Sequence, residues 1–125
     1  MKNIIVLFSL MVFALGVNAQ QQPADSLTYT KDGFAIAKIK TSAVCDMCKE
    51  TLEKTMAYEK GVKESNLDVD SKILTVTFDP KKTDLNKIRL AISKAGYDAD
   101  NIAADPKAYD NLNACCKKDG WLIIR

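Results

Sequence analysis

Four cysteines, Cys45, Cys48, Cys115 and Cys116, are the residues of this chain best suited to chemistry, and no histidine accompanies them. The missing imidazole removes the commonest general base and a common metal ligand together, so any work on a metal falls to sulfur and oxygen. In Cys45-Asp46-Met47-Cys48 two thiols stand at i and i+3. Where that spacing opens a helix, both sulfurs face one side, and the free N–H groups and positive dipole end of the helix point at them. The field favours the thiolate, the form that binds metal or attacks a disulfide. A soft thiolate pair suits Cu(I), which accepts two near-linear ligands, and also Hg(II), Cd(II) or Zn(II) with further ligands. The pair alone fits half a zinc site, a redox dithiol or a structural bridge equally well. A structural zinc site needs two more ligands at a second such spacing, and the sequence has neither a second C-x-x-C nor any histidine.

The flanking sequence supplies the elements that hold the pair. Residues 34–41 alternate, with Ala37, Ile39 and Thr41 on one side and Phe34 and Ile36 on the other, which predicts a strand. Residues 46–58 place Cys48, Leu52, Thr55 and Met56 at helical spacing, and Lys60-Gly61 supplies a stop. Residues 62–70 and 72–78 predict two strands joined by a tight hairpin at Asp70-Ser71, the second ended by Asp79-Pro80. Thr83 stands where it can cap a helix whose Leu85, Ile88, Ile92 and Ala95 recur at intervals of three and four, stopped by Gly96. Residues 97–104 then read as a short edge strand, completing the order βαββαβ. The fold class is α+β, a ferredoxin-like sandwich. Leu52, Met56, Leu74, Val76, Phe78, Ile88 and Ile92 are its predicted core, and the mixed charges Asp84, Lys87, Arg89 and Lys94 read as a solvated helix face. From Asp105 a short helical extension follows, with Pro106 at its start and Ala108, Tyr109 and Leu112 as its apolar set. It leads to Cys115-Cys116-Lys117-Lys118 and an apolar run at 121–124.

Further landmarks surround the cysteine turn: Gly61-Val62 at the second strand, Val76-Thr77-Phe78-Asp79-Pro80 at the end of the third, and Ala95-Gly96-Tyr97-Asp98-Ala99 after the second helix. With these in order, the chain from Ile39 to Ala104 resembles the heavy-metal-associated domains, the family of small copper chaperones, periplasmic mercury carriers and metal-ATPase amino-terminal modules. The resemblance implies one soft metal ion on Cys45 and Cys48, Cu(I) by first preference with Hg(II), Zn(II) or Cd(II) as alternatives. It also implies transfer by thiolate exchange to a metal-transporting membrane protein or another thiolate acceptor, and no enzymatic activity. Tyr97 occupies a loop position that lies near the ion in that family, where it either shields the thiolates or plugs a helix end. The departure from the pattern is Ser42-Ala43, standing where the family carries Gly-Met with the Met buried beneath the metal loop. The smaller Ala43 leaves volume for another group to fill.

Two competing functions stay open on the residues. One is a thiol-disulfide oxidoreductase with Cys45 attacking and Cys48 resolving, although no aromatic residue precedes the pair and no proline is placed to face it. The other is a structural module with a permanent disulfide. Both cysteines are expected on a surface turn, where loss of one sulfur costs little packing. Met47 either points outward or donates a thioether, and Lys49 either offsets the charge of a bis-thiolate or is solvated. Cys115 and Cys116 are additional metal candidates. The last strand carries the chain ~20 Å away and the following helix returns it ~12 Å, so that they rejoin Cys45 and Cys48, with Lys117 and Lys118 offsetting charge. Their alternatives are a disulfide between molecules, a solvent-exposed pair, or a strained ring between neighbours.

Residues 1–19 read as an export signal: Lys2, an apolar run too short to span a bilayer, and small residues before Gln20, where cleavage is expected. A retained anchor is the alternative. The destination is then periplasmic or secreted, which permits disulfides. Residues 20–32 read as a flexible lead-in and 33–104 as the heavy-metal-associated domain, with 105–125 as the extension. Of 18 basic and 16 acidic residues, the signal removes only Lys2. The balance is near neutral and the charges are interleaved, which excludes nucleic acid as the expected partner, and the chain reads as a monomer.

Overall fold

The structure, a computed structural model, describes residues 27–117. Its elements run β1 (Thr28–Tyr29), β2 (Ala35–Lys40), α1 (Asp46–Tyr58), β3 (Val62–Asp68), β4 (Ile73–Phe78), α2 (Leu85–Lys94), α3 (Pro106–Asp110) and a 3₁₀ turn at Ala114–Cys116. The expectations for the export signal at 1–19, for residues 20–26, for Lys118 and for 121–124 lie outside the described residues.

Period-two burial decides the sheet. β2 buries Ala35, Ala37 and Ile39, and β4 buries Leu74, Val76 and Phe78. The two pair antiparallel with Ala37 opposite Val76 and Ile39 opposite Leu74, so both apolar rows face the same side. β3 adds to the free edge of β4, giving the order β1-β2-β4-β3. The helices lay Leu52 and Met56 of α1 and Ile88 and Ile92 of α2 into one cluster with these rows, and every side chain named as predicted core is buried in it. Full burial of such side chains contributes about 1.5–3 kcal/mol each. The architecture is the α+β, ferredoxin-like sandwich, its two helices packed in a single layer against an antiparallel sheet.

The edge beside β2 departs from expectation. Residues 97–104 form no strand, only the isolated bridges Thr41–Ala99 and Ala99–Ile102. The local sequence Asp98-Ala99-Asp100-Asn101 has low β-propensity, and its carboxylates hold a turn instead. Asp98 Oδ1 accepts from Ala104 N, Asp100 Oδ1 accepts from Lys40 N, and Asp100 sits at φ 51°. The outer side of β2 is taken by β1, whose Thr28 and Tyr29 pair with Ile36 and Ala35. Part of the expected flexible lead-in is therefore ordered. Its turn closes through Gly33 at φ 87°, with Phe34 N donating to Thr30 Oγ1.

Two further expectations change. The N-cap of α2 is Asp84, whose carboxylate accepts from Lys87 N, and not Thr83, which is buried. Arg89 is not on a solvated face: it is 8% exposed and donates from Nε to Asp100 Oδ2 at 2.9 Å. A guanidinium inside the layer needs such a partner to offset its desolvation.

Candidate metal centre

Cys45 is the N-cap residue of α1, in extended conformation, and its side chain makes no capping bond to the helix backbone. The sulfur is left free beside the first turn, and the Cys48 backbone N–H reaches it. Cys45 Sγ lies 3.1 Å from Cys48 Sγ, and all four cysteines are free thiols. Burial by itself raises the Cys45 thiol, but the hydrogen bonds from the Cys48 thiol and backbone, then from Cys116 and Cys115, outweigh it and hold Cys45 below its ordinary value. It is thus disposed to become the first thiolate.

Cys48 differs from the expectation of a surface turn. It is 0% exposed, because positions 48, 52 and 56 share the inward stripe of α1 and Cys48 is the first residue of that stripe, ahead of Leu52 and Met56. One sulfur of the pair therefore faces the rim and the other the core.

The tail comes back to this end. The Ala114–Cys116 turn packs against α1, and Cys116 Sγ stands 3.7 Å from Cys45 Sγ and 3.9 Å from Cys115 Sγ. The sulfurs of Cys45, Cys115 and Cys116 all lie within 4.8 Å of one another. The route is not the one inferred from sequence. Without an edge strand the chain never leaves the end of α2: Ser93 Oγ donates to Ala103 O, and Asp105 N donates to Ser93 O. The ~20 Å excursion does not occur. Cys116 is buried and Cys115 exposed. Burial first, then the hydrogen bond to Cys48, pushes the Cys116 thiol well up.

Tyr97 closes the site from beneath. It is fully buried next to Cys48 and Cys116, yet its hydroxyl has no hydrogen-bond partner of good geometry among the described residues. Burial, then the neighbouring Cys116 and Cys48 thiols, raises its pKa far above the ordinary value, so the hydroxyl stays protonated as a donor. Met47 is 45% exposed but does not point simply to solvent: its Sδ accepts from Asn113 Nδ2 at 2.9 Å and lies 3.8 Å from Cys115 Sγ. Sequence reading had no signal for the Asn113 contact, since 66 residues separate the partners. Lys49 is not simply solvated. Its ammonium donates to Glu53 Oε1, Asn66 Oδ1 and the Leu67 carbonyl, tying α1 to β3.

Behind the loop, Ser42 and Ala43 are both buried. Ser42 Oγ accepts from Asp98 N at 2.9 Å, which fixes the Tyr97 loop against the cysteine turn. Ala43 belongs to the core cluster that also contains Cys48, Tyr97 and Cys116.

Comparison with known proteins places this geometry. Residues 41–98 match the heavy-metal-associated domain. The copper chaperone CopZ of Staphylococcus haemolyticus is 30% identical over 54 residues, which is 43% of this chain and 79% of that protein. A zinc-transporting ATPase of Synechocystis sp. is 36% identical over 69 residues, covering 55% of this chain but only 9% of the ATPase. A solved CopZ metallochaperone superposes with a TM-score of 0.50 at 22% identity, over 51% of this chain and 97% of that one, and shows the same fold.

Proposed function

Because the chain belongs to the heavy-metal-associated domain family, we propose that it is a carrier of a soft metal ion, Cu(I) by first preference, held by Cys45 and Cys48 and passed on by thiolate exchange. The observation that carries this reading is the placement of the two sulfurs 3.1 Å apart at a helix start, one at the rim and one in the core. The buried sulfur keeps the ion on the protein. The rim sulfur is the one an acceptor's thiolate can replace, through a three-coordinate intermediate in which the ion is never free. The relatives carry copper in one case and transport zinc in the other. The absence of histidine from the sequence and the pair of thiols favour the softer, thiolate-loving ion.

The acceptor is a metal-transporting membrane protein or another thiolate protein, and the export signal read in residues 1–19 sends the carrier to the periplasm or outside the cell. The chain acts as a carrier and not an enzyme. Anaerobic titration of the reduced protein with Cu(I), Zn(II) and Hg(II) against a competing chelator tests the reading. Binding of Cu(I) far tighter than Zn(II), lost in Cys45→Ser, is the expected result, whereas equal or negligible binding refutes it.

A further inference from the structure

Two-coordinate binding asks for more room than the pair provides. With metal–sulfur bonds of ~2.3 Å, a linear site sets its sulfurs ~4.6 Å apart, a trigonal one ~4.0 Å and a tetrahedral one ~3.8 Å. Cys45 and Cys48 at 3.1 Å must open by about 1.5 Å to embrace an ion linearly. The edges to the tail are already right for three-fold coordination, at 3.7 Å for Cys45–Cys116 and 3.9 Å for Cys115–Cys116.

This tail position is built into the fold. Gly96, at φ 102°, comes so close to the extension that a Cβ there would meet the Ala108 carbonyl at 3.0 Å and Leu112 Cδ2 at 3.1 Å. Asp105 caps α3 by accepting from Ala108 N, and Asp98 and Ser93 hold the residues before it. Beyond α3, Asn113 donates to Met47 of the cysteine loop. The cluster also carries a second indication of a ligand. The unpartnered Tyr97 hydroxyl is a buried donor beside Cys116 and Cys48, and a negatively charged metal thiolate is the acceptor such a donor lacks.

We propose that Cys115 and Cys116 join Cys45, the rim sulfur of the pair, in a three-thiolate site that takes a soft monovalent or divalent d¹⁰ cation, so that the tail supplies two of its three sulfurs from within the chain. The proposal rests on the carrier reading above and deepens it. As the three metal–sulfur bonds form, each thiol releases its proton to solvent. Handover then runs in reverse order: an acceptor thiolate bonds to the ion, the exposed Cys115 leaves it, and the tail lifts away. Because the tail thiols are held at the site, their two bonds form without loss of a second molecule's freedom, and the ion is retained more tightly than on the Cys45–Cys48 pair.

The test compares the full-length reduced protein, Cys115→Ser and the double variant Cys115→Ser/Cys116→Ser, each titrated with Cu(I) and examined by X-ray absorption for sulfur coordination number. Three sulfurs in the parent, two in the double variant, and an affinity loss of about 10²–10⁴-fold are expected. The exposed Cys115 carries the result even if Cys116→Ser perturbs the core, since its loss alone must lower the sulfur count. Two sulfurs in all three proteins with unchanged affinity overturn the three-thiolate site and leave the carrier reading standing. Failure of the parent to bind Cu(I) overturns both.

Discussion

Replacing Tyr97 by Phe separates the two things its hydroxyl does. In the metal-free protein the hydroxyl is fully buried and has no partner of good geometry, so it has given up water without return. An unsatisfied buried polar group costs about 1–3 kcal/mol. Tyr97→Phe keeps the ring that fills the core and is expected to stabilise the metal-free protein by about 1 kcal/mol, the low end of that range, because the Cys48 and Cys116 thiols beside it are weak acceptors. In a domain of this size that raises Tm by about 4–8 °C. With metal bound the sign reverses. The sulfurs then carry negative charge, and a hydrogen bond to a charged acceptor is worth about 1.5–3 kcal/mol. The variant should therefore lose about 10–100-fold in Cu(I) affinity. Thermal melts of metal-free protein and chelator competition under anaerobic conditions read the two effects independently. A Tyr97→Phe protein that melts lower without metal, or binds Cu(I) as tightly as the parent, refutes the assignment of the hydroxyl as an unpaired donor awaiting a charged sulfur.

Cys45→Ser should abolish tight metal binding at little cost in stability, since Cys45 is common to the pair and to the three-thiolate site, whereas Cys48→Ser should weaken binding less and, by placing a hydroxyl at a fully buried position, cost about 1–3 kcal/mol by denaturant melts. Gly96→Ala forces a side chain into φ 102° and against α3, so it should lose about 1–2 kcal/mol and speed alkylation of Cys116 by pushing the tail outward. Acid should expose the Glu53 clamp. Burial opposes ionisation of this carboxyl, but the Lys49 ammonium and the Leu67 N–H overcome it and hold its pKa below 4.5. A lowered folded pKa contributes stability that is present above the unfolded value and is lost as pH falls through the folded one. Melting temperature measured downward from pH 6 should therefore drop below about pH 4.5, and Glu53→Gln should flatten that fall.

How much of this was legible depended on whether local pattern or distant contact governed each residue. Leu52, Met56, Leu74, Val76, Phe78, Ile88 and Ile92 lie at strict periods, and their burial follows from those periods. The same period placed Cys48 on the core stripe of α1, so its burial was written in the 48, 52, 56 spacing even though a C-x-x-C turn suggested a surface site. Residues 97–104 went the other way. Ile102 and the alanines hinted at an edge strand, but the fate of the stretch was decided by carboxylates bonding across the fold, Asp98 to Ala104 and Asp100 to Lys40 and Arg89. Arg89 could not be recognised as buried before Asp100 was known to face it, and the hold of Glu53, Asn66 and Leu67 on Lys49 rests on contacts that sequence spacing does not show.

Ala43 and Cys116 both lie in the core, and whether they share space is open to a direct test. Where the family pattern has a methionine, this chain has a methyl group, and its core cluster takes in Cys116 with Leu112 packed against it. Burying these side chains returns a few kcal/mol, while ordering each residue of the tail costs about 1–2 kcal/mol in backbone entropy. In the site proposed above, bonds from the two tail thiolates to an ion would favour the docked tail by mass action, and an acceptor that removes the ion would release it. A methionine at position 43 would add side-chain volume to the fully packed core that also holds Cys116. Ala43→Met should therefore loosen Cys116, detectable as faster alkylation in the metal-free protein. If Cys116 reacts no faster in that variant, the tail and the side chain at position 43 do not share the space, and the coupling between them falls.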